Sequence, residues 1–417
     1  MFLLIASIKT FAYDFAIDGI CYRVSSEKDH ECAVTGYKEI TNNNLIIPAS
    51  ITWNNIKYSV VSIGGEAFEG CSGLTSITIP SSINRIGYGA FDKCENLNTA
   101  IIEQGGTDII LEKRSFYSIK KLIANRNIKT LRSYSNNYRK DSPFGEKLNT
   151  IEFGERFTRI DDYLFYGCSG LESVNIPSSV ITIKENAFDN CENLNTAIIE
   201  QGGTDITLED RCFYSIKKLI ANRNIKTLRP YSNNNTKDSP FGEKLNIIEF
   251  GDRFTRIDDY LFYRCSGLTS INIPENVTSI GRGAFLGCSG LTSINIPKNV
   301  TSIREYTFSD CSSLTSIDIP EGVTAIESSA FCGCNSLNSI SLPNSLKTIG
   351  DMEDRFQEGV FFGCSSLQTI TIRKRIRDAA FFLIIMLVTF AATLLNPQKY
   401  VSSRTIQKCV EHVSTST

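Results

Sequence analysis

The residues of this chain best suited to nucleophilic or metal-binding chemistry are its 14 cysteines, since histidine occurs only at His30 and His412. Nine of the cysteines recur at one position of a sequence repeat. We predict that they stack as small buried apolar side chains inside a coil, because free cysteine packs as a small hydrophobe. Disulfides between turns and metal binding are the alternatives. The nine residues are Cys71, Cys94, Cys168, Cys191, Cys265, Cys288, Cys311, Cys334 and Cys364.

Two further cysteines, Cys21 and Cys32, flank the polar stretch SSEKDHE, which has the composition of a hairpin turn. A disulfide between the two strands of this hairpin is therefore a candidate, and a pair of free thiols is the alternative. Cys332 and Cys334 are separated by one glycine, a spacing that does not fit the usual zinc or redox motifs. We expect no metal site in this chain.

Catalytic motifs are missing from the repeated part of the sequence. Both histidines lie outside it, which argues against a Ser–His–Asp triad or a histidine-based metal site there. Neither phosphate-binding glycine motif, G-x-x-x-x-G-K-[ST] or G-x-G-x-x-G after a strand, occurs. The paired glycines Gly105-Gly106 and Gly202-Gly203 are predicted to form tight turns after a strand. We expect neither enzyme activity nor a cofactor.

The charged residues give little sign of a ligand. The adjacent pairs Asp161-Asp162 and Asp258-Asp259 are predicted to be solvated charges, with a calcium contact as the alternative. The chain has 43 basic and 45 acidic residues, for a net charge of −2. Nucleic-acid binding normally needs a clustered positive surface, so we exclude a nucleic-acid partner.

The element that must position these residues is a short repeat, exemplified by CSGLTSINIPENVTSIGRGAFLG from Cys265. Ile271 is flanked by Ser270 and Asn272, and this alternation predicts a strand whose isoleucine points inward. Val277 and Ile280 are predicted to form a second inward-pointing apolar pair on the opposite side of the coil. Ala284 and Phe285 are then predicted to pack inward from a short helical turn.

The unit recurs at 23 residues, and a longer period of 97 residues relates whole blocks. Fixed periods of this size are typical of solenoids, in which stacked units join their strands into a parallel sheet. Residues 95–168 and 192–265 differ at only nine of 74 positions. One difference replaces Ser115 by Cys212, so a catalytic role for Cys212 would exist in one block alone.

The regions before the repeat are predicted to be a signal and a cap. Residues 1–12 resemble the end of a secretory signal peptide. Their apolar run is short and the positively charged region that should precede it is missing, so we expect the segment to be truncated, with the true start upstream of Met1. Residues 13–44 are expected to form an N-terminal β cap on the solenoid, which spans 45–372. Asn54-Asn55 is predicted to be a two-residue hairpin turn, and Trp53 to pack against the cap.

Residues 373–417 form a basic and apolar tail that does not match the repeat. The uncharged segment 379–395 is a candidate transmembrane helix at the lower length limit, and it would anchor the chain in a membrane. The basic cluster before it favours a cytoplasmic repeat domain by the positive-inside rule, which conflicts with export by a signal peptide. A frameshifted or foreign C-terminal end is the other interpretation.

The pattern C-x-x-L-x-x-I-x-I-P-x-x-V-x-x-I-x-x-x-A-F, carried by the units within 45–372, resembles the BspA-like class of leucine-rich repeats. This class is typical of bacterial surface proteins and is also found in some protozoan parasites. The resemblance implies a right-handed leucine-rich repeat solenoid with a parallel β-sheet on the concave face, and short strands and helical turns opposite. It also implies surface exposure and a binding role, often adhesion, with no shared catalytic residues.

Candidate ligand contacts lie on two surfaces. The outward strand positions are small and neutral, and the polar insertions 132–147 and 229–244 mix tyrosine, serine and asparagine as adaptable recognition loops do. We expect a non-enzymatic, cell-surface or secreted scaffold that binds a protein or glycan. A surface coat or spacer without a specific ligand is the alternative. The candidate contacts are Tyr134, Tyr138, Tyr231, Ser270, Asn272, Ser293 and Asn295.

Overall fold

The computed structural model describes residues 12–131, 142–228, 239–350 and 359–372. These ranges contain strands and turns, and no helix occurs in them. Accordingly, no helix among the described residues has the length and apolar character needed to cross a membrane. The candidate transmembrane segment 379–395, residues 1–11 of the signal-like segment, and the insertion tyrosines Tyr134, Tyr138 and Tyr231 lie outside the described residues.

The chain forms two compact units. The first comprises Met1–Val174 and Asn186–Leu194, and the second comprises Asn175–Glu185 and Asn195–Thr417. In both, each turn of the coil contributes a first strand of three or four residues to one sheet and, in most turns, a second strand of two or three residues to another.

The first sheet of the first unit is entirely parallel, in the order β13-β11-β9-β7-β4. Its strands are β4 (Asn44–Ile46), β7 (Ser76–Ile79), β9 (Thr99–Ile102), β11 (Lys121–Ala124) and β13 (Thr150–Phe153). The second sheet of this unit joins β6 to the short strands β8 (Arg85–Ile86), β10 (Ile109–Leu111), β12 (Ile128–Thr130) and β14 (Arg159–Ile160), where β6 spans Ile56–Ile63.

An antiparallel cap precedes these turns and extends the second sheet. It consists of β1 (Phe15–Ile17), β2 (Ile20–Ser26), β3 (Glu31–Tyr37) and β5 (Ser50–Trp53), with β3 running parallel to β6. The predicted hairpin turn is confirmed, because Trp53 faces Ile56 across Asn54 and Asn55, whose φ angles are 49° and 64°. Trp53 stacks on Phe15 with ring centroids 4.5 Å apart, as expected for a cap residue.

The second unit repeats the arrangement in shorter sheets. The first strands form three sheets, in the orders β15 (Ser173–Ile176), β17 (Thr196–Ile199), β19 (Lys218–Ala221) and β21 (Ile247–Phe250); β23 (Ser270–Asn272) and β25 (Ser293–Asn295); and β27 (Ser316–Asp318), β29 (Ser339–Leu342) and β31 (Thr369–Ile372). The second strands form the sheets β16 (Thr182–Ile183), β18 (Ile206–Leu208) and β20 (Ile225–Thr227); β22 (Arg256–Ile257) and β24 (Ser279–Ile280); and β26 (Ser302–Ile303), β28 (Ala325–Ile326) and β30 (Thr348–Ile349).

The core between the sheets is built from the apolar residues that the repeat predicts. Leu268, Val277 and Phe285 are fully buried. The repeat phenylalanines stack on one another from turn to turn, with centroids 5.1 Å apart for Phe68–Phe91 and 5.7 Å apart for Phe285–Phe308. One isolated turn has no such neighbour, so the core exists only because the turns are stacked.

The predicted helical turn before each repeat cysteine is wrong. In most turns two residues of this segment adopt positive φ. The first lies two positions before the repeat phenylalanine, and the second lies immediately before the repeat cysteine. In the turn that contains Phe285 these residues are Gly283, with φ of 55°, and Gly287, with φ of 76°. A right-handed helix requires negative φ, so two left-handed residues within five positions convert the segment into successive tight turns.

The paired glycines do more than turn the chain. Gly105 lies against the buried guanidinium of Arg126, and a Cβ atom on Gly105 would lie 2.7 Å from Nη1. Gly106 has open space around it. In the second unit Gly202 and Arg223 repeat this contact at the same 2.7 Å. The first glycine of each pair therefore provides room for an arginine of the next turn.

The expectation that the aspartate pairs are solvated is also wrong for the first pair. Asp161 and Asp162 are 6% and 8% exposed. The backbone N–H of Thr130 donates to the Asp161 carboxylate at 3.2 Å, and the Thr130 hydroxyl donates to the Asp162 carbonyl oxygen at 2.8 Å. These aspartates thus join one turn to the next. In the described residues, no cluster of histidine, cysteine, aspartate and glutamate could hold a metal ion.

Candidate functional site

The repeat cysteines are free thiols in the core and do not form a reactive site. Cys288 is fully buried, and its Sγ donates to the carbonyl oxygen of Phe262 at 3.0 Å. Cys94, Cys191 and Cys311 make the same contact with the phenylalanine 26 residues earlier. Burial raises the pKa of the Cys288 thiol to about 12, so it is protonated at neutral pH.

Three further thiols of the described residues, Cys212, Cys21 and Cys32, are also buried. Cys212 is fully buried, and burial raises its pKa well above the usual value, which opposes nucleophilic attack. Cys21 and Cys32 are free and buried. The strand register places Cys21 opposite Gly36 and Cys32 opposite Val24, so the hairpin does not bring the two sulfurs opposite each other and the candidate disulfide is not formed.

In the sheet formed by β23 and β25, the outward positions form polar columns. Ser270 pairs in register with Ser293, and Asn272 pairs with Asn295. All four side chains are exposed, whereas Ile271 between them is 7% exposed. The structure therefore brings these four predicted contact residues together on one face, as neighbouring pairs on adjacent strands.

The duplicated blocks place apolar residues where the other turns have these polar columns. In the first unit Ala100 and Ile102 are fully buried, so Ile101 between them lies on the outward side of β9. Ile123 occupies the same position on β11 and is its register partner. The two isoleucines are partly exposed and form an apolar pair on the outer face of the sheet.

An ion pair borders this apolar pair. Lys121 Nζ lies 2.6 Å from Glu152 Oε1, and the register places Glu152 directly beside Ile123. The side chains of Lys121 and Glu152 remain 37% and 53% exposed, so the pair contributes little to stability. The face therefore combines apolar contact area with charges that water still reaches.

The second unit carries the same group of residues. Ile198 and Ile220 are register partners, and Lys218 Nζ lies 2.7 Å from Glu249 Oε1. Ile247 follows on β21 beside Lys218 and is 49% exposed, where the first block has Thr150. We refer to Ile101 with Ile123, and Ile198 with Ile220, as the two isoleucine pairs.

The sequence prediction missed the isoleucine pairs. The strand TAII contains two adjacent isoleucines, and the prediction took the outward residues only from the turns with a regular Ser/Asn alternation. An alignment of residues 99–102, TAII, with residues 270–273, SINI, would have revealed them, because it puts Ile101 at the position of Asn272. Chemically, the face offers apolar contact, hydroxyl and amide groups, and paired charges, which suit binding.

The comparisons with known proteins identify the repeat. A family model described as the BspA type leucine rich repeat region (6 copies) matches residues 38–141, 144–249 and 237–353. A comparison with curated proteins finds no match.

Several solved structures are similar to this chain. A leucine rich cell surface protein from Faecalibacterium prausnitzii is 24% identical, with 89% of this chain and 97% of that chain covered and a TM-score of 0.38. A leucine-rich repeat protein from Bacteroides ovatus is 23% identical, with 86% and 94% covered and a TM-score of 0.41. The pneumococcal vaccine antigen PcpA is 18% identical, with 82% and 98% covered and a TM-score of 0.33. On the family match, which spans well over half of its length, the chain belongs to the BspA-type leucine-rich repeat family.

Proposed function

We propose that this protein is a non-enzymatic scaffold, exported to the cell surface or secreted, that binds a protein ligand through the outward face of the first sheets. The observation that carries the proposal is the presence of partly exposed isoleucine pairs on that face, Ile101 with Ile123 and Ile198 with Ile220. The signal-like residues 1–12 support export. The proposal includes membrane anchoring through residues 379–395.

The isoleucine pairs favour a protein ligand over a glycan. Branched aliphatic side chains have no ring face on which a sugar can stack, whereas they match the apolar groups in the centre of protein interfaces. The flanking pairs Lys121–Glu152 and Lys218–Glu249 provide the polar rim that such an interface has around its centre. The serine and asparagine columns on β23 and β25 supply hydrogen-bonding groups on the same face of the second unit.

The proposal is tested by measuring the binding of the full-length chain to arrays of extracellular-matrix proteins, host-cell proteins and purified glycans. We expect saturable binding to at least one protein and no comparable binding to glycans. Saturable binding to glycans alone would overturn the choice of ligand class. An absence of saturable binding on every array would overturn the scaffold function and favour a coat or spacer.

A shortened chain separates a ligand-binding scaffold from a spacer. Removing residues 98–194 joins Leu97 to Asn195 without changing the local sequence, because CENLNTAIIEQGGTDI begins at both Cys94 and Cys191. The shortened chain retains only one isoleucine pair. A scaffold that uses both pairs should lose affinity on this deletion, whereas a spacer should retain its function at reduced length.

A further inference from the structure

A second surface of the second unit lies on the turns that precede the repeat cysteines, away from the first strands. It combines aromatic rings with guanidinium groups over three successive turns. We call it the Tyr–Arg surface, and it consists of Tyr260, Tyr263, Arg264, Arg282 and Tyr306.

The side chains of the Tyr–Arg surface contact one another. The rings of Tyr260 and Tyr263 meet edge to face with centroids 6.3 Å apart. The guanidinium of Arg264 lies 5.0 Å from the centroid of the Tyr263 ring, and that of Arg282 lies 5.4 Å from the centroid of Tyr306. Such stacking restricts long side chains before a partner arrives, which lowers the entropy lost on binding.

Backbone hydrogen bonds fix the turns beneath this surface. The N–H of Tyr260 donates to the carbonyl oxygen of Arg282 at 2.8 Å, and the N–H of Gly283 donates to that of Glu305 at 2.9 Å. Gly283 also leaves room for the Tyr260 ring, because a Cβ atom there would collide with Cε1 of the tyrosine. Backbone hydrogen bonds therefore join the turns that carry this surface.

The arginines on and beside this surface differ in their ion pairing. Arg282 Nε lies 3.1 Å from Glu305 Oε2, and Arg304 Nη1 lies 3.4 Å from Asp259 Oδ1. Arg264 is exposed, and among the residues that the structure describes it has no carboxylate within ion-pair distance. One guanidinium on the surface is thus available to a negatively charged group of a partner.

The duplicated block marks Arg264 as the distinctive residue. The first block has the same two tyrosines, Tyr163 and Tyr166, but Gly167 stands where the second block has Arg264. Both residues adopt left-handed φ, 73° for Gly167 and 57° for Arg264. Glycine adopts this conformation without strain and arginine does not, so the substitution places an arginine where the backbone favours glycine.

We propose that the Tyr–Arg surface docks a protein segment that presents a carboxylate side chain beside an aromatic or aliphatic one. A carboxylate accepts paired hydrogen bonds from a guanidinium, and here Arg264 has no competing partner. Tyrosine and arginine are enriched among the residues that dominate protein interfaces, and the rings of Tyr260 and Tyr263 provide the apolar contact. This surface is separate from the sheet face, and the inference goes beyond the function proposed above.

The test uses the full-length chain and two fluorescein-labelled octapeptides, one of alternating glutamate and tyrosine and one of alternating lysine and tyrosine. Fluorescence anisotropy should show saturable binding of the glutamate peptide only. Arg264→Gly, which restores the residue of the first block, should weaken this binding about tenfold. Arg253→Gly is the matched control, because it removes an exposed arginine of the same unit outside the surface and should leave the affinity unchanged.

Equal binding of the two peptides, or equal affinity of the wild type and Arg264→Gly, would overturn the proposal. Substitutions on the isoleucine pairs should not alter peptide binding, which separates this surface from the sheet face.

Discussion

The guanidinium of Arg126 donates a hydrogen bond to the carbonyl oxygen of Ile83 at 2.7 Å, although 43 residues separate them in the chain. The same side chain also donates to the carbonyl oxygens of Pro80 and Ser81. The Arg126 side chain is 2% exposed, so it lies inside the coil, where it passes Gly105 in the turn between those of Ile83 and Arg126. Arg223 reaches Val180 at the same 2.7 Å in the second unit. Each duplicated block therefore contains one arginine that joins turns that are not adjacent.

Gly105→Ala should destabilise the protein by about 1–3 kcal/mol, because the added methyl group overpacks the site against Arg126. Gly106→Ala is the matched control, since nothing lies within 4 Å of the position of its Cβ. Urea denaturation followed by circular dichroism would measure both variants. Equal midpoints for the two variants would contradict the role assigned to Gly105.

The repeat thiols should react very slowly with thiol reagents in the native protein. Burial raises the pKa of Cys191 and Cys288 to about 12, and the reactive thiolate is therefore scarce at pH 8. Mass spectrometry of tryptic peptides after a timed pulse of iodoacetamide would follow each cysteine. Labelling of Cys288 as fast as in the urea-unfolded chain would be incompatible with a buried thiol.

The same pKa shifts predict that stability decreases in alkaline solution. In the unfolded chain a thiol ionises near its ordinary pKa of 9.0, whereas Cys191 and Cys288 stay protonated up to about pH 12 in the native state. The native state thus binds more protons between about pH 9 and pH 12, so stability falls as the pH rises through this window. One pH unit above the unfolded pKa, each such thiol should lower stability by about 1.4 kcal/mol.

Urea midpoints at pH 8 and pH 10, measured with a reductant present, would test this dependence. The double variant Cys191→Ala with Cys288→Ala should be less stable at pH 8 but should lose less stability between the two pH values. Tyrosines and lysines titrate in both proteins and cancel in the comparison. The idea fails if the two proteins lose the same stability.

Phe285→Leu should destabilise the second unit, because it removes a ring that stacks on both Phe262 and Phe308. We expect a loss of about 1–3 kcal/mol, since the leucine fills only part of the volume that the ring leaves. Leu228→Ala is the control, because Leu228 is 54% exposed and should change stability by less than about 0.5 kcal/mol. Thermal unfolding would rank the two variants, and a larger effect of Leu228→Ala would contradict the stacked core.

The strands of the solenoid could be predicted from the sequence because their side chains alternate. Ser270, Ile271 and Asn272 form β23 as expected, with the isoleucine buried and its neighbours exposed. The turns could not be predicted in the same way. Gly283 and Tyr306 both occupy the left-handed position of their turns, so no single residue type marks it.

The arginine contacts and the isoleucine pairs could not be predicted from the sequence, for a different physical reason. Arg126 stands in the polar stretch ANRNIKT, and its partners become visible only when turns two repeats apart are brought together. Ile101 and Ile102 are adjacent, and their opposite exposures are decided by the pleat of β9. Composition predicts neither result, because both depend on the packing of neighbouring turns.

Binding by the isoleucine pairs is the central claim, and one comparison tests it most directly. Biolayer interferometry would measure the affinity of the full-length chain for a matrix protein that the wild type binds. Threonine occurs naturally at the equivalent outward position Thr78, so replacing Ile101, Ile123, Ile198 and Ile220 by threonine should preserve the fold. We predict that this variant loses affinity at least about tenfold, while Ile181→Thr, which changes a 47% exposed isoleucine outside these sheets, does not. An unchanged affinity of the fourfold variant, with its circular dichroism spectrum intact, would contradict the account.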